Sequence, residues 1–190
     1  MAKLRETPSQ TAGPFVHIGT LPEIAGLRAK AIAQNKLAGA DTLGQRIRIL
    51  GTITDGAGAL VKDAMIEIWQ ADANGRYGGN AFLGWGRAAT DFATGAFTFE
   101  TVKPGPTPFH DGRQQAPHIS VAIFARGINV HLQTRMYFPD EAAANAADPV
   151  LRQVGDPALV ATLIAQAEGD RSYRFDIRLQ GEGETVFFDF

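Results

Sequence analysis

The groups that could do chemistry are few and scattered. The 190-residue chain carries four histidines and no cysteine. Without thiols, disulfides, zinc–thiolate sites, iron–sulfur clusters and thiol nucleophiles are excluded. His17, His110 and His131 enter no His-x-His or His-x-Asp/Glu pair. His110 and Asp111 are sequence neighbours, which a strand would point to opposite faces. No Gly-x-Ser-x-Gly, phosphate-binding loop or dinucleotide fingerprint occurs. Asp55, Asp63 and Asp72 stand in turn sequences, where turn formation and solvation are the ordinary roles. His118 is left as a lone imidazole, and such a residue is more often a hydrogen-bonded structural histidine than a ligand, because metal sites need several convergent donors.

The elements that must position these groups read mainly as strands. Ile47, Ile49 and Ile53 share one face of a strand beginning at Arg46, with Arg46, Arg48 and Thr52 on the other. Ala64–Gln70, Phe97–Phe99 and Ile119–Phe124 read the same way. In Tyr173–Leu179, Tyr173, Phe175, Ile177 and Leu179 alternate with Arg174, Asp176 and Arg178, as a half-buried antiparallel strand requires. Asp55-Gly56-Ala57-Gly58 and Asp72-Ala73-Asn74-Gly75 are turns. Two helices are expected late in the chain: Pro139–Ala147, with Asp140 and Glu141 near its start, and one opened by Asp156 as N-cap and Pro157 at its first position. A short helix is expected around Glu23–Lys36. Many short strands with few helices predict an all-β fold, an antiparallel β-sandwich with peripheral helices. The expected organisation is one domain over 1–190: an extended N-terminal arm (1–22), punctuated by Pro8 and Pro14, and a sandwich (46–190) with two helical insertions.

Composition narrows the partners. With 45% hydrophobic residues the chain can bury a full core. Its 18 basic and 20 acidic residues sum to a formal charge of -2, so no basic field favours nucleic acid or an acidic membrane. Met1–Gln10 lacks the apolar core of a signal peptide, and Ala158–Ala167 is too short to cross a bilayer. A soluble cytoplasmic protein is the expectation.

Several segments together carry a resemblance. Gly51-Thr52-Ile53-Thr54-Asp55 is followed by Glu67-Ile68-Trp69-Gln70-Ala71-Asp72 and Gly75-Arg76-Tyr77. Further on stand Lys103-Pro104-Gly105-Pro106, Ala116-Pro117-His118-Ile119 and the ending Gly181–Phe190, with Ser9–Pro14 near the start. Taken alone, the first two segments are a common β-hairpin with a buried tryptophan. Together the chain resembles the intradiol ring-cleavage dioxygenase family over nearly its whole length, and within it the α-type chains of two-chain enzymes.

In catalytic chains of this family two tyrosinates and two histidines hold a ferric ion, a hard cation that prefers anionic oxygen with some imidazole nitrogen. This sequence departs from that set. Thr107 stands where a ligand tyrosine is expected, and Ser120 replaces the second histidine of a His-Ile-His strand. Gln115 replaces the arginine that steadies the substrate. Tyr77 follows the Gly-Arg motif and matches a non-ligand tyrosine. Neutral hydroxyls cannot replace phenolate and imidazole, so Thr107, Gln115, His118 and Ser120 are expected to form a vestigial site with no metal, and the chain alone is expected to be inactive.

The resemblance implies that Fe(III) resides in a β chain of the same fold and that the two chains share each active site. The reaction implied adds dioxygen to protocatechuate (3,4-dihydroxybenzoate) and opens the ring to 3-carboxy-cis,cis-muconate. It assigns this chain no catalytic residue but places Thr11, Gly13 and Pro14 on the substrate pocket wall and Arg126 near the substrate carboxylate, with Arg135 a weaker option. From the residues alone, Gly13-Pro14 is an ordinary ordered turn and Arg126 a solvated or interface side chain. The aromatic ending Val186–Phe190 is expected to be buried at the junction of chains or under the core. Two other readings stay open: a stand-alone β-sandwich binding module, and an enzyme with a degenerate iron site built from Tyr77, His118 and another residue.

Overall fold

A computed structural model describes residues 7–13, 16–27, 33–79 and 81–189, without the side chain of His17. Alternating apolar residues build two facing sheets. In the first, β1 (Arg46–Thr54) pairs antiparallel with β4 (Ala96–Val102), and on its other edge runs parallel to β10 (Ser172–Arg174) and β11 (Ile177–Arg178). β9 (Gln166–Ala167) extends β10. The second sheet has the antiparallel order β3 (Trp85–Ala89), β2 (Met65–Gln70), β7 (His118–Phe124), β8 (Leu132–Tyr137). Ile47, Ile49, Ile53, Phe97, Phe99 and Phe175 meet Ile66, Ile68, Ile119, Val121, Ile123 and Met136 in one core. The β-sandwich expected from the alternation is the observed fold.

The segment Tyr173–Leu179 differs from expectation in two ways. It lies parallel, not antiparallel, to β1, because the chain crosses the second sheet before returning. It is also broken after Arg174. The Asp176 carboxylate accepts from the Thr52 backbone N–H and from Thr52 Oγ1, both at 2.9 Å, and so replaces ladder bonds there. Gly51 is required at this break, since a Cβ there would lie 2.0 Å from the Phe175 carbonyl oxygen.

Pro139–Glu141 form a 3₁₀ turn that leads into α2 (Ala142–Ala147). Asp140 and Glu141 bind Lys103 Nζ at 2.7 and 2.6 Å, fastening this insertion to the end of β4. α3 (Pro149–Val154), not foreseen, is capped by Asp148, and α4 (Pro157–Ala161) by Asp156 as expected. In the arm, α1 (Val16–Thr20) is a short helix where extended chain was expected. Residues 22–26 form turns, so the described part of the expected 23–36 helix is absent; residues 28–32 lie outside the described residues. No helix among the described residues is long and apolar enough to cross a membrane.

Candidate functional site

The outer face of the second sheet, away from the core, carries Trp69 on β2, His118 and Ser120 on β7, and Arg135 and Tyr137 on β8. Strand register sets their neighbours: Ser120 lies between Trp69 and Arg135, and His118 pairs with Tyr137. Beside them β5 (Thr107–Pro108) and β6 (Gln114–Gln115) form a small ribbon that places Gln115 opposite Thr107. The ribbon is held against the Asp72–Gly75 turn, where Gly105 N–H donates to Asp72 O at 2.9 Å. Gly75, at φ +76, lets this turn approach so closely that a Cβ would lie 2.0 Å from Pro106 O. Trp69 is 40% exposed, not buried, and stacks on Tyr77 with ring centroids 5.8 Å apart.

Of the expected vestigial residues, Thr107 and Gln115 are bonded to each other and linked through a cation to Tyr137, which lies against His118. Gln115 Nε2 donates to Thr107 Oγ1 at 3.2 Å and to Pro108 O at 3.1 Å. Arg135 Nη1 donates to Gln115 Oε1 at 2.8 Å and reaches Tyr137 Oη at 3.5 Å. Tyr137 Oη donates to Asp148 Oδ1 at 3.3 Å. Asp148, fully buried, also accepts from the backbone N–H groups of Ala116, Val150 and Leu151. Asp148 was not singled out in the sequence, although Asp148-Pro149 repeats the Asp-Pro cap signal of Asp156-Pro157.

His118 is buried, and its Nδ1 lies 2.8 Å from Ala116 O. That contact makes Nδ1 the donor and leaves Nε2 with its lone pair, the posture of a metal-ligating histidine. Burial, reinforced by the Arg135 charge, lowers its pKa to about 4, so the ring is neutral at physiological pH. Burial raises the Tyr77 phenol above its ordinary value, with Arg135 and Thr107 opposing the shift. Burial and the Asp148 charge raise Tyr137 further. Both phenols therefore stay protonated at neutral pH.

A ferric ion does not fit this donor set. Apart from His118, the polar side chains of this cluster are the alcohol of Thr107, the amide of Gln115, the phenol of Tyr137 and the guanidinium of Arg135, which has only N–H donors to offer. Among the described residues no group of three or more His, Cys, Asp or Glu side chains converges to hold a metal ion. Ser120 lines a separate cleft of about 350 Å³ with Trp69 and Trp85.

The other expected site residues lie at the far end of β7. His118 opens that strand and Arg126 follows it, so residues 118–124 alone separate the two groups by about 20 Å. Thr11 Oγ1 accepts from Gly127 N–H at 2.8 Å and donates to Ala125 O at 3.4 Å. Ser9 Oγ donates to Asn129 O at 2.6 Å. These bonds pin the arm beside Arg126, whose guanidinium pairs with Asp63. Gly13 is exposed, and a Cβ there would meet nothing within 4 Å. Pro14 lies outside the described residues. Arg135 belongs to the His118 cluster and not to this group. A cavity of about 630 Å³ between Leu21, Ile24 and Ala33 on one side and the β3–β4 connection on the other contains none of the expected site residues.

The chain and its two-sheet sandwich match known proteins. The family model described as Dioxygenase matches residues 23–181. The dioxygenase domain of a dioxygenase–carbohydrate-binding protein fusion from Streptomyces sp. SirexAA-E superposes with a TM-score of 0.62 at 25% identity, covering 95% of this chain and 100% of that one. The chain belongs to the intradiol dioxygenase family. Within it, the chain is 54% identical to the protocatechuate 3,4-dioxygenase alpha chain of Pseudomonas putida, over 98% of each. It is 33% identical to the protocatechuate 3,4-dioxygenase beta chain of Burkholderia cepacia, over 81% of this chain and 72% of that one.

Proposed function

We infer that this chain is the iron-free α subunit of a protocatechuate 3,4-dioxygenase, working in complex with a β subunit of the same fold that carries Fe(III). The observation that carries this reading is the cluster at His118: one imidazole in ligand posture beside Tyr137, which Arg135 links to the amide of Gln115 and the alcohol of Thr107. Similarity to both an α and a β chain supports a two-chain enzyme built from one ancestral fold.

This chain's own contribution lies at the Thr11–Gly13–Arg126 end. The arm, fastened to the β7–β8 connection, offers Gly13 as a wall with no side chain and Arg126 as an exposed guanidinium suited to a benzoate carboxylate. The iron of the partner supplies the means to activate the bound catechol; this chain orients the acid group and closes the pocket. The bound substrate is 3,4-dihydroxybenzoate and the product 3-carboxy-cis,cis-muconate.

Co-expression with a β homologue tests the reading. The chain alone should show no ring cleavage, and the pair should convert protocatechuate with uptake of dioxygen. A lone chain that cleaves the ring, or a monomer that fails to bind the β homologue, would overturn it.

A further inference from the structure

We propose that Arg135 is a metal-excluding residue: its guanidinium engages the acceptor atoms beside His118, so restoring tyrosine at 107 and histidine at 120 is not enough to rebuild a metal centre. This inference rests on the iron-free reading and explains what enforces it.

Lone pairs and their placement decide whether a metal can bind beside His118. A metal ion needs ligand atoms whose lone pairs point into the site. Arg135 points hydrogens there instead. Its Nη1 donates to Gln115 Oε1 at 2.8 Å and sits 3.5 Å from Tyr137 Oη. Gln115 in turn donates to Thr107 Oγ1, so the ribbon that carries position 107 is tied to the guanidinium through one amide. Position 120 is directly opposite Arg135 across the β7–β8 ladder. Side chains so paired have Cβ atoms about 5 Å apart, and a histidine at 120 would meet the guanidinium before it met a metal. Arginine stays protonated at any physiological pH, so it cannot yield its place by losing a proton as lysine can. Tyr137 is fixed from its other side by Asp148, which keeps the phenol oriented as part of the hydrogen-bond chain.

The test compares three variants of the full chain, each co-expressed with the β homologue and purified as the complex. They are Thr107→Tyr/Ser120→His with Arg135 intact, the same pair with Arg135→Gln, and the same pair with Arg135→Lys. Iron is measured by elemental analysis and by the visible tyrosinate-to-iron absorption, neither of which depends on turnover. With Arg135 intact, iron content should equal that of the wild-type complex; with Arg135→Lys, whose ammonium can give up its proton, it should lie between that value and the Arg135→Gln value. With Arg135→Gln, iron affinity of the added site should rise at least about tenfold, as removal of a partly buried like charge implies. Equal loading whatever stands at 135, or no gain with Arg135→Gln in a folded complex, would overturn the proposal. Where the double substitution fails to assemble, Ser120→His alone, with and without Arg135→Gln, is titrated with Zn²⁺ in the complex, since His118 and a histidine at 120 leave the same strand face. A gain in affinity only when Arg135 is replaced supports the proposal, and an unchanged affinity in a folded complex overturns it. Iron bound by the wild-type chain itself would instead overturn the iron-free reading.

Discussion

Arg126 is tied to Asp63 by an ion pair that joins the β7–β8 turn to the loop before β2, and the arginine is its open end: its side chain is 72% exposed against 25% for Asp63. An exposed pair of this kind contributes little to stability, about 0–1 kcal/mol. Its value lies in holding a guanidinium outward, next to the arm residue Thr11.

In the assembled enzyme, Arg126→Gln should therefore raise KM for protocatechuate about tenfold, roughly 1.4 kcal/mol, with kcat nearly unchanged. Unsubstituted catechol, lacking the carboxylate, should be unaffected. Asp63→Asn, which releases the guanidinium, should leave kcat alone and shift KM for protocatechuate only. Steady-state kinetics with both substrates decide the matter, and an equal loss on both would contradict the assignment.

His118 makes stability depend on pH. Its pKa falls from the ordinary 6.5 to about 4 on folding. The unfolded chain takes up a proton below pH 6.5 and the folded chain does not, so this contribution is complete above 6.5 and is lost as pH falls toward 4. The full loss is about 3 kcal/mol. Urea unfolding at a series of pH values between 7 and 4 should show the decline, and His118→Gln should flatten it.

Asp148→Ala removes the acceptor for three backbone N–H groups and the Tyr137 hydroxyl at once. Loss of the cap costs about 1 kcal/mol, and the stranded buried Ala116 N–H adds about 1–3 kcal/mol. Asp148→Asn, which keeps an acceptor oxygen, should recover part. Denaturant midpoints compare the three proteins.

Of the aromatic ending, Val186, Phe187 and Phe188 belong to the core of this chain, and Phe190 lies outside the described residues. Phe187 packs on the main cluster, and Val186 and Phe188 on the smaller one around Leu151 and Leu163. Phe188 N–H donates to Gln133 O at 2.8 Å, covering the edge of β8. Deleting residues 187–190 should destabilise the chain by about 3 kcal/mol or more and reduce assembly. Unchanged thermal stability and full co-purification with the β homologue would contradict this.

The sandwich was readable because burial of one face forces period-two alternation, and Ile47–Ile53, Ile66–Ile68 and Ile119–Ile123 display it. The direction of Tyr173–Ile177 was not readable, since parallel and antiparallel strands share that period. Its break depends on Asp176 reaching Thr52, a contact 124 positions away in sequence. The cluster of Thr107, Gln115 and His118 was visible through the resemblance. The place of Arg135 beside Gln115 and Tyr137 was not readable, because strand register alone sets it opposite Ser120. Asp148 escaped because a cap sequence does not reveal that its carboxylate also serves Ala116 and Tyr137.

Iron quantitation on the chain expressed and purified without its partner bears most directly on the account. The preparation should be colourless, with no stoichiometric iron and no tyrosinate-to-iron absorption after incubation with excess metal, while the complex with the β homologue carries both. A purple-red isolated chain with iron on His118 would contradict the account at its root.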